Sequence, residues 1–369
     1  MIKIPKFVED LIPYKAGKPI AELAREKNLD RIVKLASAEN PLGPSPKAMQ
    51  AIQNEIETLN RYSDPASFEL VQAIAKKYNI ESNHIICGHG TDSLLAYIVN
   101  AFTSESDEIL TCEGSFIGIY VTIKKKGRHL VQVPMKEHTF DLNKILESIT
   151  EKTAMIYLAN PNNPSGTMFE KADFESFMEK VPKHIMVILD EAYTVYASEN
   201  PLYPNGVTYD YENMVVTRTF SKVYGLAGLR VGFAVGPDKV IEALYKVKLP
   251  FEPNRLAQKA GIAALDDDEF LKTTIQLNKD SLRMLYNCFD QNGMNYIRSS
   301  TNFILLLMPS ERFAIEFTEQ CLNKGLIIRH VDTFGIPNGV RINSGTIEET
   351  EFATEVITEV FQNLKSTMS

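Results

Sequence analysis

Lys222 lies in TFSKVYGLAGLRVG (219–232), directly after a serine, and Arg230 follows eight positions later. A lysine is either a solvated surface charge or, where burial or nearby cations hold its amine neutral, a nucleophile toward carbonyls. Three other stretches supply partners for the second reading. Asp190 closes the apolar run of ILDEAY (188–193), and Asn163 stands in the Pro/Gly-rich NPNNPSG (160–166). CGHGTD (87–92) is a glycine-loosened turn directly before the apolar SLLAYIVNAF (93–102). Singly these are a helix start, a loop and a plain turn. Together, an amine, a carboxylate and an amide are what a cofactor with an aldehyde, a ring nitrogen and a phenolate needs. The backbone N–H groups of the turn and the dipole of the following helix suit a phosphate.

Such groups converge only if the elements before them run side by side. Short apolar runs recur at EIL (108–110), RHLVQV (128–133), TAMIYLA (153–159), HIMVILD (184–190), NMVVTR (213–218) and VGFAVG (231–236). Longer amphipathic stretches separate them. That alternation predicts an α/β domain on a mostly parallel sheet. Asn163, Asp190 and Lys222 then follow strands at the carboxyl edge, where open α/β sheets bind ligands. ASFELVQAIAKKY (66–78) is expected to be helical, with Phe68, Val71, Ile74 and Ala75 on one face. Lys124–Lys126 read as cations at a helix C-terminus before the Gly127 cap, and DDDEF (266–270) as acids at a helix N-terminus.

Beyond about residue 250 the pattern changes. A long helical stretch precedes the expected strands NYIRS (295–299) and NFILLLM (302–308), and a helix follows near 311–324. Strands LIIRH (326–330) and GVRIN (339–343) and an amphipathic helix through FATEVITEVFQNL (352–364) complete a smaller α+β domain. The expected organisation is an N-terminal segment, 1–40, packing with the small domain, a large domain, 41–255, and a small domain, 256–369. Arg329 and Arg341 both fall in strands of the small domain, where a cation needs a partner. A planar guanidinium suits carboxylate or phosphate oxygens better than an ammonium does.

With 44% hydrophobic residues, 23% charged and a net charge of −8, the 369-residue chain lacks the basic excess usual in nucleic-acid binders. No apolar run approaches the roughly 20 residues of a membrane span, and MIKIPKFVED has no leader-like pattern, so a cytoplasmic enzyme is expected. Cys87, Cys112, Cys288 and Cys321 are scattered without a CxxC, which indicates neither disulfides nor zinc, and no metal is assigned.

The order of these motifs resembles fold-type I pyridoxal-phosphate (PLP) aminotransferases over nearly the whole chain. The resemblance implies a PLP-dependent transferase fold: a large domain with a mostly parallel seven-stranded sheet and a smaller α+β domain. Within that superfamily the chain resembles histidinol-phosphate aminotransferases, on LIPYKAGKPI (11–20), ASAENPLGPSP (36–46), RYSD (61–64), RTFSKVYGLAGLRVGF (218–233), and IIRH with GVRINSGT (327–346). The resemblance implies that Lys222 links to the cofactor and, once freed, moves the proton. Asp190 would pair with the ring nitrogen, and Asn163 and Tyr193 with the phenolate oxygen. Gly90, Thr91, Asp92, Thr219, Ser221 and Arg230 would hold the phosphate. Phe116 stands where the family usually has a stacking tyrosine, a change that keeps the aromatic face. Tyr62 of RYSD would reach the phosphate across a homodimer interface.

By the same resemblance Arg341 anchors the substrate's anionic end, Arg329 and Tyr14 close around a phosphate, and Asn40 is a further substrate contact. The implied reaction passes the amino group of L-histidinol phosphate to 2-oxoglutarate, giving imidazole-acetol phosphate and glutamate. The alternatives are an aromatic amino-acid aminotransferase, a phosphothreonine decarboxylase, and a non-catalytic PLP-binding regulator. His89 replaces the asparagine of the family's GNGSDE, Ser93 its glutamate, and Ala38 the asparagine of NENPLGPSP. These departures bear on substrate scope.

Overall fold

The structure is a computed structural model and describes residues 2–11, 20–27 and 29–367. The apolar runs become strands: β1 (Val33–Lys34), β2 (Ile85–Gly88), β3 (Glu108–Cys112), β4 (His129–Val133), β5 (Thr153–Ala159), β6 (Met186–Asp190), β7 (Met214–Thr219) and β8 (Gly232–Val235). The last seven form one sheet in the order β2-β8-β7-β6-β5-β3-β4. All pairs are parallel except those of β8, which runs antiparallel to both β2 and β7. β6, β7 and nearly all of β5 are buried, which is why each carries an apolar run rather than an alternating pattern. An antiparallel neighbour needs no helical crossover. The chain therefore passes from β7 to β8 through the loop 220–231, which carries Lys222 and Arg230.

Helix Phe68–Tyr78 packs on this sheet through Leu70, Val71 and Ile74. Phe68, expected on the buried face, is exposed: it is the first residue of the helix, after a left-handed Ser67, and the buried stripe begins at Leu70. Helix Ile117–Lys125 ends as expected at Lys126 and a left-handed Gly127. Helix Arg255–Leu265, placed by the sequence at the start of the smaller unit, buries Ala257, Ala260, Ala264 and Leu265 in the core of the large sheet. Its small residues let it lie close against the helices of that core.

The second sheet is antiparallel, in the order β12-β13-β10-β9, from β9 (Asn295–Ile297), β10 (Phe303–Leu307), β12 (Arg329–His330) and β13 (Gly339–Asn343). Asp267 caps helix Asp268–Asn292, accepting from the Phe270 N–H at 3.4 Å, so the acidic run does begin a helix. That helix, with Glu311–Asn323 and Ile347–Thr367, covers a second core containing Leu285, Phe289, Ile304, Phe317, Ile342 and Ile357. Val33 and Leu35 belong to it. LIIRH is not one strand. β11 (Leu326–Ile327) pairs in parallel with β1, and β12 pairs with β13, because the two halves of the run face different partners. Among the described residues no helix is long and apolar enough to cross a membrane.

Candidate active site

Of the three central parallel strands, β5 and β6 end level with one another and β7 runs two residues further. Ala159 of β5 sits opposite Asp190 of β6, and Asp190 opposite Thr217 of β7. Above these ends lies a cleft of about 570 Å³ counted out to its open mouth. Its wall contains Thr91, Asp92, Phe116, Asn163, Asp190, Tyr193, Thr219, Ser221, Lys222 and Arg230, so these ten sequence-derived candidates share one site.

Lys222 is half-buried with its amine in the cleft wall, and its Nζ donates to the Ser37 carbonyl at 3.3 Å, 5.6 Å from the centroid of the Tyr193 ring. Burial, then the nearby Arg341 guanidinium, lowers its pKa from 10.5 to about 8, against the opposing pull of Glu39 and Asp92. Near neutrality such a shift raises the neutral fraction roughly several hundredfold, the form in which an amine is nucleophilic. Asp190 lies at the cleft floor. Its Oδ2 accepts from the Tyr157 hydroxyl at 2.8 Å and its Oδ1 from the Ala192 N–H at 3.2 Å. Burial pushes its pKa up to about 6, with the Tyr157 hydrogen bond acting in the opposite direction. A buried carboxylate met only by neutral donors is costly unless a bound molecule brings a cation to it.

The other end of the cleft suits an anion. Helix Gly90–Phe102 points its N-terminus there, and Arg230 lies across it. Gly90 has φ +75, and a Cβ on it would stand 2.8 Å from Arg230 Nη2, so only glycine lets the guanidinium approach the helix end. Arg230 Nη1 donates to the Ala227 carbonyl at 3.1 Å and reaches Ser221 Oγ at 3.5 Å, and the Ser221 N–H donates to Thr219 Oγ1 at 3.0 Å. Its Nη2 meets Asp92 at 2.9 Å; both partners are substantially exposed, so that pair contributes little and leaves the cation available to a ligand. The Phe116 ring folds back over Gly118, where a Cβ would come within 2.4 Å of it. A flat molecule with a phosphate at one end, a cationic ring nitrogen at the other and an aldehyde facing Lys222 matches this donor set.

The substrate candidates divide. Arg341 is buried, donating from Nη1 to Asn163 Oδ1 and from Nη2 to the Ala36 carbonyl at 2.6 Å, with its guanidinium 4.9 Å from the Phe303 ring centroid. Arg329 is half-buried opposite Arg341 in the β12–β13 pair and lies 6.0 Å from the Phe334 ring centroid. Asn40 is buried, but its amide nitrogen donates to the Val223 carbonyl at 2.8 Å and to Thr274 Oγ1 at 3.2 Å, while its oxygen caps the Leu42 N–H. The structure thus packs Asn40 against the loop that follows Lys222. Tyr62 is 78% exposed, stacked on Phe251 at 4.3 Å and away from the cleft of its own chain. Tyr14 lies outside the described residues.

Sequence reasoning missed Tyr157, Ala159, Pro161 and Ala192 in the cleft wall, and the Ser37 carbonyl on Lys222. Period-two counting from the end of β5 places Tyr157 on the same face as Ala159, and an otherwise apolar run holds a hydroxyl there. Among the described residues no cluster of three metal-ligating side chains occurs.

The family model for aminotransferase class I and II matches residues 30–357. The chain is 40% identical to histidinol-phosphate aminotransferase 2 of Hydrogenovibrio crunogenus, over 93% of this chain and 92% of that one. It is 39% identical to the enzyme of the same name from Pasteurella multocida, over 96% of each. The histidinol-phosphate aminotransferase of Sinorhizobium meliloti, solved in complex with pyridoxal-5'-phosphate, superposes with a TM-score of 0.91 at 26% identity over 99% of both chains. With a matched family model spanning both sheets and relatives aligned almost end to end, this chain belongs to the class I and II aminotransferases.

Proposed function

We propose that the chain is a cytoplasmic PLP-dependent transaminase of histidine biosynthesis, moving the amino group of L-histidinol phosphate to 2-oxoglutarate. The observation that carries the reading is a lysine amine buried in the same cleft as an unneutralised carboxylate and an anion cradle. PLP, when bound, supplies the electron sink that makes the carbon bearing the amine acidic. The chain supplies the rest. Lys222 Nζ would hold the cofactor through its aldehyde carbon, with loss of water, and when released would be the base that takes and returns the proton. The Ser37 carbonyl orients that amine. Asp190 would keep a proton on the ring nitrogen, and Asn163 and Tyr193 would donate to the phenolate oxygen. Arg230, Ser221, Thr219 and the N–H groups of Gly90, Thr91 and Asp92 would hold the phosphate, while Phe116 would cover the ring.

Both amino donors are anions, so a shared cation must hold each in turn. Arg341 fills that role, with Arg329 beside it and Tyr14 in the N-terminal segment adding contacts to the phosphate of histidinol phosphate. A homodimer would complete the site: Tyr62, exposed and stacked on Phe251, would serve the partner's phosphate cradle. The purified chain reconstituted with PLP tests the reading. Borohydride is expected to fix the cofactor on Lys222, glutamate to convert it to pyridoxamine phosphate, and histidinol phosphate to do so with a higher kcat/KM than phenylalanine. Preference for phenylalanine would assign the chain to aromatic amino acids instead.

A further inference from the structure

We propose that Tyr157 is the positioning residue for Asp190, its hydroxyl holding the buried carboxylate in place beneath the cleft so that a cofactor's ring nitrogen meets an ionised acceptor. The inference rests on the reading that PLP occupies this cleft. Tyr157 is fully buried in β5. In the parallel pair, Tyr157 stands opposite Ile188 and Ala159 opposite Asp190, so Tyr157 and Asp190 share one sheet face, one pleat repeat apart. That stagger lets the phenol reach Oδ2 at 2.8 Å while the backbone N–H of Ala192 takes Oδ1 at 3.2 Å. Two donors on two oxygens fix the plane of the carboxylate.

A buried tyrosine needs an acceptor wherever it sits. What distinguishes this one is that its ring is part of the cleft wall together with the carboxylate it holds. The groups facing Asp190 come from several elements: Tyr157 from β5, Thr217 from β7, Tyr193 from the turn after β6, and Asp92 from helix Gly90–Phe102. Lys222 and Arg230 share the same cleft. Burial and the Asp92 charge favour a protonated Asp190, and the hydrogen bonds from Tyr157 and Ala192 oppose them. Burial, with the Asp190 charge, also holds the Tyr157 phenol well above its ordinary pKa, so it stays a donor throughout the working range.

Tyr157→Phe removes the hydroxyl and little volume. Affinity of the apoprotein for PLP is measured by equilibrium dialysis from about pH 5.5 to 8.5, in parallel with the 1-deaza analogue, which keeps the aldehyde and phosphate but lacks the ring nitrogen. The expected result is a loss of about ten- to a hundredfold for PLP, the size of a hydrogen bond to a charged group. The loss should be larger at the acid end, where Asp190 without its donor takes up a proton, and the deaza analogue should be unaffected. Equal losses for both ligands, or no loss for PLP, overturn the proposal. A wild-type chain that does not bind PLP instead overturns the reading of the cleft. Should the phenylalanine variant not fold, 3-fluorotyrosine at 157 keeps the ring and strengthens the donor. The pH midpoint for PLP binding is then expected to move down, and an unmoved midpoint overturns the proposal.

Discussion

Arg341 and Asn163 are hydrogen bonded to each other although one lies in β13 of the small sheet and the other in the turn after β5 of the large one, 178 positions apart. One guanidinium nitrogen meets the Asn163 amide, and another holds the Ala36 carbonyl. A single cation thus ties the proposed substrate anchor to the proposed phenolate ligand and to the N-terminal segment.

Arg341→Ala is therefore expected to weaken both half-reactions by about 2–5 kcal/mol, as when one member of a buried charge-assisted contact is removed. Arg341→Lys should recover only part of this, because an ammonium cannot span both partners as a planar fork does. Single-turnover rates with glutamate and with histidinol phosphate check the claim; a loss confined to one substrate would contradict it.

Arg329→Ala should harm histidinol phosphate more than glutamate. A phosphate dianion has more oxygens to satisfy than a carboxylate, and Arg329 stands beside Arg341 across one strand pair. The ratio of kcat/KM for the two substrates is the readout. Equal losses would remove the phosphate-specific role and favour an aromatic substrate.

Lys222→Ala should bind PLP without a borohydride-reducible link and lose turnover. In the wild-type apoprotein the rate of covalent PLP attachment should rise with pH and level off above about 8, where burial and Arg341 have placed the Lys222 pKa. A rise continuing toward the ordinary lysine value near 10.5 would mean that the amine is solvated.

Asp190 carries a pH signature of its own. Its pKa rises from 3.8 to about 6 on folding, so the native state binds more protons between those values than the unfolded chain does. The apoprotein should then lose up to roughly 3 kcal/mol of stability as pH rises from about 4 to 7, at about 1.4 kcal/mol per pKa unit. Asp190→Asn removes that dependence. Its apoprotein should gain on the wild type in melting temperature as pH increases, yet retain little transamination, since an amide cannot stabilise a pyridinium.

Much of this was legible because strands buried on both faces end abruptly in polar residues. The runs before Asn160, after His184 and before Thr219 each close on the rim, so Asn163, Asp190 and Lys222 could be placed together from sequence. The motif order then supplied the cofactor. Three things were hidden by tertiary partners. LIIRH looks like one strand because nothing local marks the change of neighbour at Ile328. Tyr157 reads as a core aromatic until its register with Asp190 is known. Asn40 lies in a segment with a substrate-binding resemblance, but its hydrogen bonds hold the Val223 carbonyl and Thr274, contacts across 183 and 234 positions.

The parallel pairing of Val33 and Lys34 with Leu326 and Ile327 has a consequence for biosynthesis. The strands of the seven-stranded sheet are all contained in residues 85–235, so its partners emerge from the ribosome in one continuous interval. β1 is made first of all, but its neighbour is encoded almost at the end. At roughly 5–20 residues per second, the nascent segment waits on the order of 15–60 s before its neighbour exists. During that time Val33 and Leu35 have no second core to enter. A truncated message ending before residue 326 would therefore yield a chain whose large sheet can close while its N-terminal segment stays undocked, a natural substrate for cellular quality control.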